Sequence, residues 1–593
     1  MRQTDGRNKY INNKERRKET LAWGLLGATF LMLVALNVFW GDHWIDSDMA
    51  AEMIFSRLLA QEGKWIATEN WYYSTEFRVL YTQLIMVPLF HVLSDWHVIR
   101  VLTNVVTYLL MLGAYFYCMK PFRIRRSTMV FSSVILLLPF SETFLTHMQM
   151  GNTYMWHVIL ILLAFGMFLR LSQPWEGRKA GRIVTGILYT ALSVVCGLSG
   201  VRYMLALQVP LCIAVGIYIL KSDEFAALRR EFSLEHSWQQ ICRVLSGERL
   251  AYLLCSLLGL LGAGVGYLAN VAVLGRKFQF QMYDVTNFIK VFQGVLLERS
   301  QDTVGNLLQL FGYIEEKGFL SIRGLISLLA FGFLAGILFL AVRCSRLLAG
   351  EWGKLTAGRE ASGNEGQSKP ECLRQKSGAA ETERATADRQ GHRIRLAHGR
   401  LTLWFFVTAF VLNTFVFLFT TSTIVARYYI TVFLFVLPLL CVYYEYEKLP
   451  LDRLLLTLLL CGALGLTTAK CVYSFIDKDK NEDKRPVAAY LKEQGYTFGY
   501  ASYWNGNIIT ELTDGQVEIA NIHEIDKMDM FTWSSPVRYY QEGYHDGKTF
   551  ILLTAQEAAV YAQVPVIAAG EVVYDQQGYV VLHYDSTGAL SAH

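Results

Sequence analysis

The sequence has little charge for its length: Asp, Glu, Lys and Arg make up 18% of its 593 residues, whereas hydrophobic residues make up 53%. Soluble domains carry more charge, about a quarter of their residues. This scarcity excludes an ordinary soluble protein and predicts a polytopic membrane protein. The net charge of +5 is small, and the basic residues lie in short clusters between apolar runs, so the composition does not indicate a nucleic-acid partner.

Paired cysteines and nucleotide-binding motifs are also missing. The ten cysteines stand singly, without a Cys-x-x-Cys or a spacing typical of a metal site. The sequence has no Walker loop, no strand-to-helix Gly-x-Gly-x-x-Gly, no His-Glu-x-x-His and no Gly-x-Ser-x-Gly. We therefore expect neither a disulfide framework nor a bound nucleotide. The energy for any group transfer would then arrive with the substrate.

What the sequence does contain is a series of apolar runs. A helix needs about 20 apolar residues to cross a hydrocarbon core of about 30 Å. Runs of this kind cover residues 20–40, 97–119, 128–146, 153–172, 183–199, 203–220, 250–273, 322–343, 402–422, 428–445 and 453–473. The fifth and sixth runs could instead form one broken helix. The predicted fold class is an α-helical polytopic membrane protein with about 11 transmembrane helices over residues 20–475.

The basic clusters predict the orientation of these helices, because lysine and arginine favour cytoplasmic loops. "RRKET" precedes the first run and places residues 1–19 in the cytoplasm. With alternate crossings, every other strongly basic loop falls on the same side. The N-terminus lacks the features of a cleaved signal peptide, so the first run is predicted to be an uncleaved span. The expected location is a cell membrane, with the C-terminal region on the extracytoplasmic side.

Three segments outside the apolar runs have their own character. Residues 41–96 predict a first outer loop with juxtamembrane helices. Residues 345–400 are polar, with few apolar side chains, and predict a disordered cytoplasmic loop. Residues 476–593 alternate strand-like runs such as "TFILLTA" with a helix-like segment, which predicts a small extracytoplasmic α/β domain.

The first outer loop opens with "GDHWIDSDMAAEM" (residues 41–53), which carries two closely spaced aspartates, Asp46 and Asp48. One interpretation is structural, since an aspartate at a helix start caps free N–H groups and complements the helix dipole. The other interpretation is catalytic. The two are compatible, because one aspartate can cap the helix while the other faces a cavity.

The string that follows resembles the first outer loop of GT-C glycosyltransferases, in the shape found in lipid A aminoarabinose transferases and protein O-mannosyltransferases. The matching positions are Asp46 and Asp48, Gly63-Lys64-Trp65, and Arg100 at the start of the second span. The resemblance covers about 60 residues. The chain departs from the pattern at "STEFRVLYTQL", where those families continue with a Lys-Pro-Pro-Leu stretch.

The resemblance implies a glycosyltransferase whose active face lies outside the cytoplasm. The implied donor is a sugar linked to polyprenyl phosphate, and the acceptor is an envelope glycan, a lipid or a protein. No cofactor is obligatory, and a divalent metal ion shared by Asp46 and Asp48 is left open. Asp46 is expected to act on the acceptor hydroxyl as the base.

Two Arg-Tyr pairs stand at outer ends of spans. Arg427-Tyr428 is similar to a recurrent GT-C feature whose arginine contacts the phosphate of the polyprenyl carrier. A guanidinium offers a fork of donors to phosphate oxygens. Arg202, followed by Tyr203, is a second candidate for this contact. The alternative in both cases is an interfacial arginine within an aromatic belt.

Further substrate-binding candidates lie on the same predicted face. They are His43 beside the aspartates, Glu76 in "STEFR", and His147, Asn152 and Tyr154 in "THMQMGNTYMWH". Polar and aromatic side chains suit sugar hydroxyls and ring faces. A capped helix start, or a surface ion pair between Glu76 and Arg78, would account for these residues as well.

A non-enzymatic membrane protein is the alternative from a different class: a transporter or flippase for envelope lipids, or a scaffold. Buried charge along a route across the whole bilayer would favour transport. Polar residues gathered on one face favour the enzyme. The sequence predicts the second arrangement.

Overall fold

The fold is described from a computed structural model of the chain. It describes residues 2–588, except for 174–178, 232–236, 282–285, 292–293, 315–317, 319, 365–377, 447–448 and 471–478.

Helices make up most of the chain and follow the apolar runs of the sequence. In chain order they are α1 (Arg2–Trp40), α2 (Ser47–Gln61), α3 (Gln83–Phe90), α4 (Trp96–Met119), α5 (Arg126–Leu137), α6 (Glu142–Phe144), α7 (Met155–Leu171), α8 (Lys179–Leu198), α9 (Val209–Leu220), α10 (Asp223–Glu231), α11 (Ser237–Val244), α12 (Glu248–Ala269), α13 (Gly275–Lys277), α14 (Val295–Leu310), α15 (Ile322–Asn364), α16 (Gly378–Phe419), α17 (Ile430–Phe433), α18 (Val436–Tyr446), α19 (Pro450–Lys470), α20 (Lys484–Glu493), α21 (Tyr503–Leu512), α22 (Ala555–Val560) and α23 (Pro565–Ala568). Segments of π-helix cover Leu145–Met150, Met204–Gln208 and Asn270–Leu274.

Within the described part of the chain, eight helices are long and apolar enough to cross a membrane, or up to ten spans if each of two bent pairs counts as one. The first pair bends by 95° between Leu137 and Glu142, where Pro139 removes a backbone donor. The second bends by 59° after Leu220. α7 is apolar but has 17 residues. Each of the eleven predicted spans falls on one of these helices or pairs, which confirms the polytopic α-helical fold class.

We call the end of the bundle that carries residues 41–96 the outer face, after the orientation predicted from the basic loops. The structure differs from the sequence prediction at 345–400. Residues 345–364 and 378–400 continue α15 and α16 as helix, where the sequence predicts disorder. Many of these residues are alanine, leucine, arginine or glutamate, which favour helix, and an existing span removes the cost of helix nucleation. Residues 365–377 lie outside the described residues.

The C-terminal region forms a five-stranded sheet flanked by helices. Its strands are β3 (Phe498–Ser502), β4 (Glu518–Ile522), β6 (Thr549–Thr554), β7 (Glu571–Gln576) and β8 (Tyr579–Tyr584), in the spatial order β4-β3-β6-β8-β7. The first three are parallel, and β7 and β8 pair antiparallel. Both sheet faces carry buried apolar clusters, as expected for parallel strands covered on two sides.

A second, smaller sheet joins three distant parts of the chain. It contains β1 (Trp71–Tyr73), β2 (Gln279–Phe280) and β5 (Ser535–Pro536). β1 pairs parallel with β2 and antiparallel with β5. The first outer loop is therefore hydrogen-bonded both to the segment after α12 and to the C-terminal region.

A buried ion pair links the C-terminal region to the bundle. Arg100 in α4 donates two hydrogen bonds to Glu511 in α21, from Nε to Oε1 at 2.7 Å and from Nη2 to Oε2 at 2.6 Å. Arg100 Nη2 also donates to the Met49 carbonyl of α2 at 3.0 Å. Only 3% of Arg100 and 4% of Glu511 are exposed. One guanidinium thus holds three helices together.

We expect Glu511→Gln to destabilise the protein, because it leaves Arg100 buried without a counter-charge. Breaking a buried pair in this way costs roughly 3–5 kcal/mol. The measurement is the melting temperature in detergent, followed by circular dichroism. Replacing both partners, in Arg100→Met with Glu511→Leu, should recover much of the lost stability, since neither charge then remains buried.

Glu524→Gln is the matched control on the same region. Glu524 pairs with Lys527 on the surface, where both side chains are largely exposed, and such pairs contribute little. A melting temperature for Glu511→Gln equal to that of the control would show that the buried pair does not hold the C-terminal region.

Candidate functional site

The two aspartates of "DSD" make different contacts at the start of α2. Asp46 is the N-cap, and its Oδ1 accepts a hydrogen bond from the Met49 N–H at 2.8 Å. Asp48 lies in the first turn, and its Oδ1 accepts from the Tyr503 hydroxyl at 2.8 Å. The capping interpretation therefore holds for Asp46. Within the described residues, neither Oδ2 accepts a hydrogen bond.

The environment of Asp46 favours its protonated form. Burial, followed by the negative charge of Asp48, raises the pKa of Asp46 to about 6. The Met49 N–H and the guanidinium groups of Arg100 and Arg427 oppose this rise in pKa. A carboxyl group with a pKa near the working pH can both accept and release a proton.

Arg427 lies in the short turn Ala426–Tyr429 that precedes α17. It interacts electrostatically with Asp48 and Tyr154. In the described part of the chain, no residue accepts a hydrogen bond from its guanidinium or forms an ion pair with it. Its fork of donors is thus available to a ligand, and phosphate is the anion whose geometry it fits well.

The two predicted Arg-Tyr pairs meet in the structure. Arg202 Cζ lies 5.1 Å from the ring centre of Tyr428 and 5.2 Å from that of Tyr154. Its Nη1 also donates to the Tyr154 hydroxyl at 2.7 Å. Unlike Arg427, Arg202 has a carboxylate partner, since its Nε lies 2.6 Å from Glu76 Oε1.

Glu76 is the centre of this ion-pair network rather than one half of a surface pair. Its side chain is 9% exposed, and its Oε2 lies 3.4 Å from Arg78 Nε and 3.7 Å from His157 Nε2. Burial acts to raise the pKa of Glu76, but Arg202, His157 and Arg78 together hold it below its usual value. Glu76 is therefore an ionised counter-charge for two arginines.

Glu52, which the sequence analysis did not select, completes the network. Its Oε1 accepts from Arg78 Nη1 at 2.8 Å and from the Tyr81 hydroxyl at 2.7 Å, and its Oε2 accepts from Thr82 at 3.3 Å. Burial raises the pKa of Glu52 to about 7 despite these partners. The signal was present in the sequence, because Glu52 follows Asp48 by four residues and so lies on the same face of α2.

His147 and Tyr154 lie together beside the network. His147 Nδ1 is 2.8 Å from Thr153 Oγ1, and its ring centre is 5.8 Å from that of Tyr154. Tyr154 in turn stacks on His157 at 5.3 Å. His147 belongs to the π-helical segment Leu145–Met150, and such segments occur frequently at functional sites.

Two predicted substrate-binding candidates, Asn152 and His43, contact residues that hold the fold together. Asn152 adopts a left-handed backbone conformation, with φ of 57°, is 1% exposed and donates to Asn104 Oδ1. His43 lies 3.9 Å from both Asp42 and Asp479, and its carbonyl accepts from the Lys480 N–H at 3.0 Å. His43 therefore lies at the junction with the C-terminal region, and Asn152 lies in the buried polar layer below the site.

A metal ion at the aspartates stays a prediction. The described residues contain no group of three or more His, Cys, Asp or Glu side chains that could hold one. Asp46 and Asp48 could at most supply two ligands, and each already uses one oxygen in a hydrogen bond.

An apolar cavity of about 640 Å³ lies between the helices below the site. Its lining includes Met148 and Ile430, which follow His147 by one residue and Arg427 by three. At its other end it reaches Lys18 and Arg125, on the predicted cytoplasmic side. Leucine and phenylalanine are the most frequent residues of the wall, so the interior suits a hydrocarbon chain.

No protein-family model matches the sequence. No curated protein matches it either.

The solved structures that resemble the chain include three with 12% sequence identity. They are ArnT from Cupriavidus metallidurans in the apo state, the same protein bound to undecaprenyl phosphate, and the Archaeoglobus fulgidus oligosaccharyltransferase complex with Zn and sulfate. The matches cover 95%, 95% and 91% of this chain and 98%, 97% and 70% of the matched chains, with TM-scores of 0.41, 0.40 and 0.42.

The two roles of Asp46 can be separated by substitution. Asp46→Ala should lower stability by about 1 kcal/mol, because it removes the N-cap of α2, whereas Asp46→Asn should keep it, since asparagine caps as well as aspartate. The melting temperature of each purified variant measures the effect.

Asp95→Ala is the matched control. Asp95 caps α4 with the same geometry, accepting from the Val98 N–H at 2.9 Å. Asp95→Ala should lower the stability of the protein by a similar amount. A melting temperature for Asp46→Ala equal to that of the wild type, with the control destabilised, would contradict the capping role.

Proposed function

We propose that the chain is a multi-pass membrane glycosyltransferase of the GT-C kind, which transfers a sugar from a polyprenyl-phosphate-linked donor to a cell-envelope acceptor. In this proposal the outer face is extracytoplasmic and the N-terminus cytoplasmic. The single observation that carries the proposal is Arg427, which donates no hydrogen bond within the described residues and interacts electrostatically with Asp48 and Asp46.

Each part of a lipid-linked donor has a matching environment. The cavity beside Ile430 and Met148 suits the polyprenyl tail. Arg427 suits the phosphate at the outer end of that cavity. The sugar would then lie toward α2, where Asp46 and Asp48 present their carboxylates. This arrangement supports a lipid phosphate in preference to a soluble donor, because a soluble donor has no use for the apolar cavity.

The transfer step follows from these positions. Asp46 accepts the proton of the acceptor hydroxyl, whose oxygen forms a bond to the anomeric carbon of the donor sugar. The bond between that carbon and the phosphate oxygen breaks, and polyprenyl phosphate leaves with the electron pair. Arg427 stabilises the negative charge that grows on the leaving phosphate, with Arg202 and Tyr428 alongside. Asp48, held by Tyr503, maintains the raised pKa of Asp46.

The same geometry speaks against a flippase. The wall of the cavity is mainly apolar and includes the rings of Phe140, Phe311 and Phe333, which contact one another. A charged headgroup would lose its hydration there without gaining partners. A tail can occupy this space, whereas a sugar phosphate cannot cross it.

We expect Arg427→Ala to weaken the binding of undecaprenyl phosphate by about tenfold to 150-fold. A hydrogen bond to a charged group contributes about 1.5–3 kcal/mol, and about 1.4 kcal/mol corresponds to a factor of ten. The affinity is measured with the purified protein by native mass spectrometry or by thermal stabilisation.

Arg276→Ala is the matched control, since it removes the same charge from an exposed position at the outer end of the α12 span. Its affinity for undecaprenyl phosphate should equal that of the wild type. Equal weakening in both variants would mean that net charge, rather than a phosphate site at Arg427, governs binding.

The pH dependence of transfer provides a separate test of Asp46. As a base it must be ionised, so transfer from a polyprenyl-phosphate-linked sugar should rise with pH through about 6. Asp48→Asn removes a negative charge that raises the pKa of Asp46, so the rise should shift to lower pH. Asp46→Asn should abolish transfer at every pH while undecaprenyl phosphate still binds. Undiminished transfer by Asp46→Asn would exclude Asp46 as the base.

A further inference from the structure

A group of aromatic side chains on the C-terminal region lies next to the candidate site. The rings of His523, Phe531 and Trp533 are stacked in sequence, with centroids 5.4 Å and 6.2 Å apart and interplanar angles of 26° and 12°. Tyr503 contacts Phe531 edge to face at 5.5 Å and Trp504 at 5.2 Å. We call these five residues the aromatic platform.

The ring faces of the platform are not fully covered by one another. Parallel rings in contact are separated by about 3.5 Å, so a centroid distance of 6.2 Å requires a sideways displacement, and Phe531 and Trp533 cover only part of each other's faces. Trp504 is 65% exposed, His523 is exposed, and Phe531 and Trp533 are partly exposed. Contiguous exposed aromatic surface of this kind marks an interaction site.

The backbone that carries the platform is held in an unfavourable conformation. Met528 and Ser534 have φ values of 50° and 46°, in the left-handed region that non-glycine residues seldom adopt. Hydrogen bonds hold the loop in place, from the Phe531 N–H to the Asn521 carbonyl at 2.8 Å and from Gln281 Nε2 to Thr532 Oγ1 at 2.6 Å. Strain of this kind persists at ligand-binding loops, where the surrounding contacts maintain it.

Tyr503 connects the platform to the site. Its ring forms one edge of the platform, and its hydroxyl donates to Asp48 Oδ1 at 2.8 Å. A molecule lying on Phe531 and Trp504 would therefore be one side chain away from the carboxylates. This is the position that an acceptor needs, opposite a donor phosphate at Arg427.

We propose that the aromatic platform binds a sugar ring of the acceptor, which makes the acceptor a glycan. This inference rests on the proposed glycosyltransfer and adds the acceptor class to it. The axial C–H groups of a pyranose carry a partial positive charge and pack against the negative face of an aromatic ring. Asp529, which is exposed and precedes Phe531 by two residues, offers a carboxylate to the hydroxyl groups of the sugar.

The chemistry favours a glycan over a peptide or a second lipid phosphate. The rings of His523, Phe531 and Trp533 in the platform are nearly parallel and offset from one another, which fits consecutive sugar rings. A lipid phosphate would require a cation, and the platform contains neither a lysine nor an arginine. A peptide acceptor is an outcome that the experiment distinguishes.

The experiment is a glycan array probed with the purified full-length protein. The array displays oligosaccharides of hexoses, deoxyhexoses and N-acetylhexosamines, and a peptide array is probed in parallel. The wild type should retain a subset of the glycans. Trp504→Ala and Trp533→Ala should each reduce retention by about two- to tenfold, as expected for the loss of one aromatic contact. Trp504→Phe keeps a ring and should retain more than Trp504→Ala.

Trp238→Ala is the matched control, since Trp238 is 75% exposed and lies in α11, on a loop predicted to be cytoplasmic. Its retention of glycans should equal that of the wild type. Absence of glycan binding by the wild type, or equal retention by the platform variants, would overturn the proposal. Retention of peptides alone, lost in Trp504→Ala, would also overturn it and indicate a protein acceptor.

Binding of undecaprenyl phosphate by the same proteins separates this proposal from the proposed function. The platform variants should bind it as the wild type does, which also shows that they are folded. If glycan binding depends on the platform but neither the wild type nor any variant binds undecaprenyl phosphate, the glycan-binding role of the platform stands and the lipid-linked donor is rejected. If the proteins bind undecaprenyl phosphate but glycan binding does not depend on the platform, only the glycan-binding role of the platform is rejected.

Discussion

The geometry of the outer face depends on one buried guanidinium. Arg100 reaches Glu511 and the Met49 carbonyl at once, so the position of α4 fixes both α21 and the first turn of α2. Asp46 and Asp48 precede Met49 in that turn, and Tyr503 begins α21. The contact between Tyr503 and Asp48 therefore follows from the placement of Arg100. A buried ion pair of this kind adds little net stability compared with apolar packing, and what it specifies here is register between parts of the chain more than 400 residues apart.

Around that anchor, the charges of the outer face are paired in a definite order. Glu52 and Glu76 both contact Arg78, and Glu76 also holds Arg202. These pairings consume the charge of two arginines and leave Arg427 with only longer-range carboxylate interactions. The network thus does more than hold loops together. By satisfying Arg202 and Arg78, it leaves one uncompensated guanidinium at the end of the apolar cavity, where an anionic headgroup is most useful.

Much of this architecture could be predicted from the sequence, because periodicity and charge act locally. Each of the eleven apolar runs falls on a helix or on a bent pair of helices. The basic clusters predict that both Arg-Tyr pairs lie on the same face as Asp46. The cap at Asp46 could likewise be predicted as one of two alternatives. The roles of Asn152 and His43 could not, since their partners, Asn104 and Asp479, are brought to them by packing. Glu511 carries no motif, and its pairing with Arg100 joins residues far apart in the sequence.

The charged side chains of the site lie on the outer face, whereas the cavity between the helices is mainly apolar. A transporter must offer its charged cargo partners along the whole route, whereas among the described residues the cations that line this cavity are Lys18, Arg125 and Arg453, on the predicted cytoplasmic side. The proposed donor matches this arrangement, because its long part would stay in the membrane while its charged part stays at the surface. Chemistry on such a substrate must be done at the outer edge, by groups that reach it from loops. The first outer loop supplies the carboxylates, and the C-terminal region, through Tyr503, reaches the same point from the side of the solvent. In the proposed function, the C-terminal region would present the acceptor to the lipid-anchored donor at this point.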